Sequence, residues 1–171
     1  GLVADGISYT GFLYAGLMID QTGTPRVLEY NCRSGDPETQ PILLRLLTDL
    51  AELCMAALGG ELHRVTMEWD SRATLGVVMA AGGYPDDYSK GDIIEGLNGA
   101  ESNWVKVFHA GTAIEGGRVV TRGGRVLCVT ALGDNVSAAQ AAAYRSVRRI
   151  HWPNAFYRPD IGYRALTHRS A

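Results

Sequence analysis

The chain has 171 residues, of which 46% are hydrophobic and 20% are charged, and these fractions are typical of a soluble globular protein. This length is enough for one domain or two small ones with a real core. A net charge of −2 argues against nucleic acid and anionic membranes as partners. No apolar run has the length that crossing a bilayer requires, so we expect no membrane partner.

The cysteines and the first residue add two expectations about the setting of the chain. Cys32, Cys54 and Cys128 are odd in number and far apart, which suits neither a disulfide framework nor a zinc site. We therefore expect a reducing, cytoplasmic location. The sequence begins with Gly1 rather than Met, which is consistent with a fragment of a longer protein.

The first section of the chain is predicted to open with an antiparallel hairpin. Residues 9–19 are apolar on both faces, a pattern typical of a strand buried on two sides. Residues 20–25 have the composition of a turn. The strand predicted at residues 26–31 should therefore return antiparallel to the first one.

A long helix is predicted to follow this hairpin. Apolar residues recur at helical spacing from residue 37 to about residue 58. Asp36 is the expected N-cap, Pro37 the first helical residue, and the Gly59–Gly60 pair the stop.

The second section alternates short β-like runs with glycine turns, which indicates an antiparallel sheet or a small barrel-like unit. The predicted strands are residues 73–80, 92–94, 104–109, 118–121 and 125–132. A final helix is expected at residues 136–150, capped by Asp134 or Asn135, and irregular chain at 151–171. The fold class is thus α+β, with domains at residues 1–65 and 66–171 and a boundary near residues 60–72.

Polar side chains gather where the second hairpin strand ends. Alternation along a strand places Val27, Glu29 and Asn31 on one face, joined by Arg33 if the chain stays extended. Carboxylate and carboxamide oxygens suit Mg²⁺, and the predicted helix start at Asp36 is a natural place for phosphate. The alternative is an ordinary solvated face of an edge strand, because a glutamate and an asparagine two residues apart are common.

Longer motifs point to a family. Glu29-x-Asn31-x-Arg33 resembles the metal and anion segment of ATP-grasp ligases. The string Glu-Tyr-Asn-Cys-Arg-Ser-Gly-Asp-Pro-Glu-Thr-Gln-Pro at residues 29–41 resembles the phosphoribosylamine–glycine ligase (glycinamide ribonucleotide synthetase) family. Further similar segments are residues 14–18, 75–85, 107–112 and 123–133, in the family's order. The resemblance covers the C-terminal part of such an enzyme, which is more than twice as long.

The resemblance implies the fold, the reaction and its participants. Residues 1–65 would be the C-terminal part of an ATP-grasp catalytic domain, an antiparallel hairpin plus a long helix. Residues 66–171 would be a small, mainly antiparallel β domain with a helix. The enzyme would join glycine to 5-phosphoribosylamine through glycyl phosphate, with ATP as a further substrate, in de novo purine biosynthesis. The adenine pocket and the phosphate-gripping lysines would belong to the upstream N-terminal region of the same enzyme.

The resemblance also assigns roles to individual residues. Glu29 and Asn31 become the metal ligands, for Mg²⁺ or Mn²⁺. In many ATP-grasp enzymes a second acidic ligand stands about thirteen residues earlier, and that count reaches Gly16, which has no side chain to offer. Ser34 replaces an aromatic residue of the family pattern, which affects packing near the site rather than the chemistry.

Arg33 and Asp36 are the expected substrate-binding residues, and Arg33 is also the expected catalytic residue. The guanidinium of Arg33 has fixed donors suited to a carboxylate or an acyl phosphate, although an ion pair with Glu38 or Asp36 explains it equally well. The Asp36 carboxylate would accept the ammonium group of glycine, or it would only cap the helix.

Two residues of the second section are candidates of another kind. His109 is expected to be a partly buried structural histidine, because acyl-phosphate formation and amine attack need no histidine base. Arg125 follows a glycine turn and is a candidate contact for the phosphate of the ribosyl substrate.

Two alternative functions stay open. One is another ATP-grasp enzyme, such as a carboxylase acting on bicarbonate, although the continuation Gly-Asp-Pro-Glu-Thr-Gln speaks against it. The other is a non-catalytic binding or assembly domain in which the strand-to-helix join is only structural.

Overall fold

The computed structural model describes residues 1–167, and these form two compact units of mixed α and β structure with antiparallel sheets. The first unit comprises Gly1–Thr39 and Leu46–Asp70. The second comprises Gln40–Arg45 and the described residues from Ser71 onward. In residues 1–167 no helix has both the length and the apolar composition needed to span a bilayer.

A hairpin of two antiparallel strands, β1 (Tyr14–Ile19) and β2 (Pro25–Asn31), leads the first unit, as the turn composition predicted. Asp20 organises the turn, because its Oδ1 accepts hydrogen bonds from the backbone N–H groups of Thr22 (2.9 Å) and Thr24 (3.0 Å). The hydrogen bond from the Thr22 hydroxyl, followed by the one from the Thr24 N–H, holds the pKa of Asp20 below its usual value.

The prediction that the first strand is buried on two sides is wrong for this chain. Leu17, Met18 and Ile19 are 49%, 56% and 57% exposed, and Val27 and Leu28 of the partner strand are exposed as well. The physical reason is that, within the first unit, no other described helix or strand packs extensively against this hairpin. The apolar composition therefore predicted correctly that these residues form strands, but it did not show whether other elements cover them.

The predicted long helix is also wrong, because it is divided into two helices, α1 (Thr39–Arg45) and α2 (Leu50–Leu58). Asp49 adopts an extended backbone and its side chain accepts from the N–H groups of Ala51 and Glu52, so it starts a new helix as an N-cap. Just before it, the Leu47 N–H donates to the carbonyl of Glu68 at 3.0 Å. The Glu68 carbonyl thus replaces the acceptor that a continuous helix would provide for the Leu47 N–H. The apolar periodicity carries no information about such a distant partner.

A three-stranded antiparallel sheet forms the centre of the second unit. Its strands, in spatial order, are β3 (Ala73–Ala80), β7 (Arg125–Gly133) and β4 (Val105–His109). The central strand β7 is buried from Val126 to Leu132 because it is paired on both edges and covered on both faces. The antiparallel sheet predicted for this section is therefore confirmed.

A second hairpin, β5 (Thr112–Glu115) and β6 (Arg118–Thr121), accompanies the sheet. The strand predicted at residues 92–94 is reduced to a single bridge between Ile93 and Val120. One bridge cannot form a ladder, so this segment is an extended connection rather than a strand.

The helix α3 (Val136–Val147) covers one face of the three-stranded sheet. Asn135, one of the two caps predicted, accepts from the Ala138 N–H at 3.0 Å. The helix ends three residues earlier than predicted, and it buries the small side chains Ala139 and Ala143 completely. Small side chains allow the helix to approach the sheet closely.

Residues of α1 lie against the opposite face of this sheet. The Thr74 hydroxyl donates to the Pro41 carbonyl at 3.0 Å. Gly76 leaves room for the ring of Pro41, whose Cδ would lie 3.6 Å from a Cβ at that position. The sheet is thus enclosed on both sides within the second unit.

The segment after α3 was predicted to be irregular throughout, but residues Tyr163–Thr167 form a short helix, α4. The last four residues of the chain, which the prediction also included, lie outside the described residues. Tyr144 of α3 holds this segment in place. Its hydroxyl donates to the Arg158 carbonyl at 2.6 Å and accepts from the Ile161 N–H at 2.9 Å.

We predict that Tyr144→Phe lowers the free energy of unfolding by about 1–2 kcal/mol, because it leaves both backbone groups without the hydroxyl that pairs them. Urea unfolding measures the loss in the free energy of unfolding. Relative to the unchanged chain, the substitution should speed amide hydrogen exchange more at Ile161 than at residues of β7. Tyr157→Phe is the matched control, since its ring contacts Tyr144 at 6.2 Å between centroids and its hydroxyl has no described hydrogen bond. Equal losses in the two variants would contradict the anchoring role.

Candidate functional site

The register of the first hairpin determines which side chains share a face with the predicted ligands. Glu29 pairs with Gly16, Tyr30 with Ala15, and Asn31 with Tyr14. Directly opposed residues of an antiparallel pair point to the same face. Glu29 and Asn31 therefore lie on one face, next to the Tyr14 side chain and a position without a side chain at Gly16.

A β-bulge corrects one part of the predicted pattern. Gly16 pairs with Glu29, but Leu17 pairs with Val27, so Leu28 is an extra residue on β2. The strict alternation expected from residue 27 to residue 31 holds only between Glu29 and Asn31. Val27 does not belong to this face by simple alternation, and nothing in the composition of β2 itself signals the bulge.

Arg33 lies two residues beyond the end of β2, in a bend, and its side chain is exposed. It therefore does not continue the strand face of Glu29 and Asn31. Among the described residues its guanidinium forms no ion pair with Glu38 within 4 Å. The Glu38 carboxylate is folded against Gly35, where any added Cβ would collide with it.

The predicted capping role of Asp36 is wrong, and so is the placement of Pro37 at the first helical position. Both residues lie in a turn with a cis peptide bond between them, and α1 begins only at Thr39. Thr39 closes this turn, because its N–H and its hydroxyl both donate to the Gly35 carbonyl, at 3.0 Å and 2.6 Å. Asp36 is exposed in the segment that follows Arg33.

Of the two candidates in the second unit, His109 differs from its prediction and Arg125 lies where the sequence placed it. His109 was predicted to be partly buried, but it is exposed at the end of β4, with its Nδ1 3.1 Å from the Thr112 hydroxyl. The strand ends there, so the sheet does not cover the ring. Arg125 begins β7, directly after the glycine turn.

The same unit has an open cleft of about 650 Å³. Its lining residues are Gly91, Asp92, Ile93, Glu95, His151, Trp152 and Pro153. None of the predicted site residues is among them.

The donor chemistry of the hairpin face fits a hard divalent cation. Within residues 1–167 no three or more His, Cys, Asp and Glu side chains come together as a metal cluster. A carboxylate and a carboxamide on one strand face nevertheless match Mg²⁺, which commonly takes one or two protein oxygens and completes its shell with phosphates and water. The face composed of Tyr14, Gly16, Glu29 and Asn31 is therefore the candidate site.

Two family models match this chain. The model described as "Phosphoribosylglycinamide synthetase, C domain" matches residues 74–164, just over half of the chain. The model described as "Phosphoribosylglycinamide synthetase, ATP-grasp (A) domain" matches residues 1–39, which include the candidate site. The chain belongs to the phosphoribosylglycinamide synthetase family.

Individual members of this family are similar over nearly the whole chain. The phosphoribosylamine–glycine ligase of Vibrio cholerae is 61% identical over 171 residues, which are all of this chain and 40% of the relative. That of Allochromatium vinosum is 63% identical over 166 residues, 97% of this chain and 39% of the relative. The resemblance read from the motifs is thereby confirmed.

A solved structure of the family has the same fold. The crystal structure of the phosphoribosylamine–glycine ligase from Thermotoga maritima superposes with a TM-score of 0.80 at 35% identity, covering 94% of this chain and 39% of that one. The chain thus spans about two fifths of the length of the relatives that it matches.

Proposed function

We propose that this chain is the C-terminal part of an ATP-dependent ligase that joins glycine to 5-phosphoribosylamine in de novo purine biosynthesis, in the cytoplasm. The observation that carries the proposal is the shared face of Glu29 and Asn31 on a hairpin inside the match to the ATP-grasp domain. Residues 1–65 would complete an ATP-grasp catalytic domain, and residues 66–171 would form the C-terminal β-rich domain.

Glu29 and Asn31 would hold Mg²⁺ or Mn²⁺ through their side-chain oxygens. When bound, such an ion neutralises negative charge on the phosphates of ATP. The remaining parts of the site, including the adenine pocket, would come from the upstream region of the same enzyme. The relatives support this division, since this chain accounts for only 40% of the Vibrio cholerae enzyme.

The reaction would proceed in two substitutions. A carboxylate oxygen of glycine attacks the γ-phosphorus of ATP, the bond to the bridging oxygen breaks, and ADP leaves with that electron pair. The amine nitrogen of 5-phosphoribosylamine then attacks the carbonyl carbon of glycyl phosphate. Phosphate leaves, and the nitrogen loses a proton to give the amide.

Arg33 and Asp36 would position the glycine during these steps. The fork of the Arg33 guanidinium suits a carboxylate before phosphorylation and an acyl phosphate after it. The Asp36 carboxylate would accept hydrogen bonds from the glycine ammonium group. Both side chains are exposed on the segment directly after β2, where an incoming substrate can reach them.

We predict that these 171 residues alone bind ATP weakly and have no ligase activity, because Mg²⁺ gives up its water reluctantly to two protein ligands. Activity should appear in a graft in which this chain replaces the matching 40% of the Vibrio cholerae ligase. Titration calorimetry with Mg-ATP and phosphate release with glycine and 5-phosphoribosylamine are the measurements. A folded but inactive graft, or robust turnover by the chain alone, would contradict the proposal.

In the active graft, Glu29→Gln and Asn31→Ala should each lower kcat by at least about 100-fold, because each removes a side-chain oxygen that would hold the ion, and the ion neutralises charge in phosphoryl transfer. Circular dichroism should show an unchanged fold, since both side chains belong to an exposed hairpin. Ala15→Ser, on the opposite face of the same hairpin, is the control and should keep full activity. Near-normal turnover in both site variants would remove the metal assignment.

Arg33→Lys keeps the positive charge but loses the planar fork, so we predict about a tenfold higher KM for glycine and a lower kcat. Steady-state kinetics with varied glycine at saturating ATP test this in the graft. Arg26→Lys is a matched control, because the exposed Arg26 already pairs with Asp20 at 3.5 Å. An unchanged dependence on glycine would leave Arg33 without a role in substrate binding.

A further inference from the structure

The side chain of Glu29 lies close to the position that a side chain on Gly16 would take. The two residues are direct partners in the β1–β2 ladder. A Cβ built on Gly16 would lie 3.1 Å from the Cγ of Glu29, which is closer than ordinary van der Waals contact. The methylene of Glu29 therefore leans across the ladder and occupies the space that a side chain at position 16 would fill.

The backbone conformation does not account for this glycine. Gly23 in the adjoining turn has a φ of +82°, a conformation that favours glycine, and nothing lies within 4 Å of its Cβ position. Gly16 is absent from the residues with positive φ, so an alanine could adopt its backbone. Glycine within a strand commonly marks a bulge or a close approach, and at Gly16 both are observed.

We propose that Gly16 is a positioning residue for Glu29, an inference that rests on the proposed role of Glu29 as a metal ligand. By offering no side chain, it lets the Glu29 methylene settle against β1, and this sets the direction in which the carboxylate leaves the strand. A methyl group at position 16 would displace the Glu29 Cγ by a few tenths of an ångström. Asn31 would keep its place, because its ladder partner is Tyr14.

The expected consequence is a selective loss of metal affinity. Groups that orient a metal ligand typically change affinity by about 10-fold to 100-fold when they are altered. Gly16→Ala should therefore weaken binding about tenfold while leaving the ladder intact. Ala15→Ser is the matched control. It also adds one heavy atom to β1, but on the opposite face of the hairpin, where Ala15 pairs with Tyr30.

The test uses the whole chain, with Mn²⁺ as the probe and nuclear magnetic resonance as the readout. Substoichiometric Mn²⁺ enhances the relaxation of nearby amides. The slope of the amide relaxation rate at residues 29–31 against the Mn²⁺ concentration reports the relative affinity for the ion. We expect Gly16→Ala to reduce this slope about tenfold and to change the χ1 populations of Glu29. Ala15→Ser should reproduce the unchanged chain in both measurements, and Glu29→Gln should remove the slope.

Three results would overturn the inference, and they differ in whether they also contradict the proposed metal assignment. If Gly16→Ala behaves like Ala15→Ser while Glu29→Gln removes the slope, only the positioning role fails. If Glu29→Gln leaves the slope unchanged, the proposed metal assignment fails and the inference fails with it. The unchanged chain supplies a test that needs no variant, because the Glu29 Hγ protons should show a nuclear Overhauser effect to the Gly16 Hα protons. Its absence would show that the contact does not exist.

Discussion

The second unit depends on the central position of strand β7. Val129 of this strand has Val77 on one side and Val107 on the other, and its side chain is fully buried. Burial of one such side chain contributes about 2 kcal/mol, and several lie in succession along β7. The helix α3 can approach because Ala139 takes little space. Strand pairing and helix packing thus share the same residues, so neither is expected to persist when the other is lost.

The candidate site has a different physical basis, since it belongs to a hairpin of only two strands. Such a hairpin is marginally stable in water by itself, and its large apolar side chains are exposed here. Its register is nevertheless well defined by the Asp20 turn and by the bulge at Leu28. The turn and the bulge therefore decide which groups face the same way as Glu29.

The sequence predicted those parts of the fold that depend on local chemistry. The turn at Asp20, the capping of α3 by Asn135 and the β-rich second section all follow from side chains close together in the chain. One error arose where a distant residue intervenes, because Glu68 pairs with the chain before Asp49 and divides the long helix. Another arose in a local turn, because Thr39 bonds back to the Gly35 carbonyl and α1 begins only after Asp36 and Pro37. Glu29 and Asn31 were identifiable as a pair, and the family spacing pointed to position 16, but the direct pairing of Gly16 with Glu29 required the ladder register.

The tip of the second hairpin offers a practical use of the fold. Gly116 and Gly117 have φ values of +56° and +75°, and no atoms lie within 4 Å of their Cβ positions. Ile114 beside them is 78% exposed. Exposed tips of this kind tolerate inserted sequence. A reporter peptide or a fluorophore attachment point placed between these glycines would label the second unit while leaving β7 and α3 untouched.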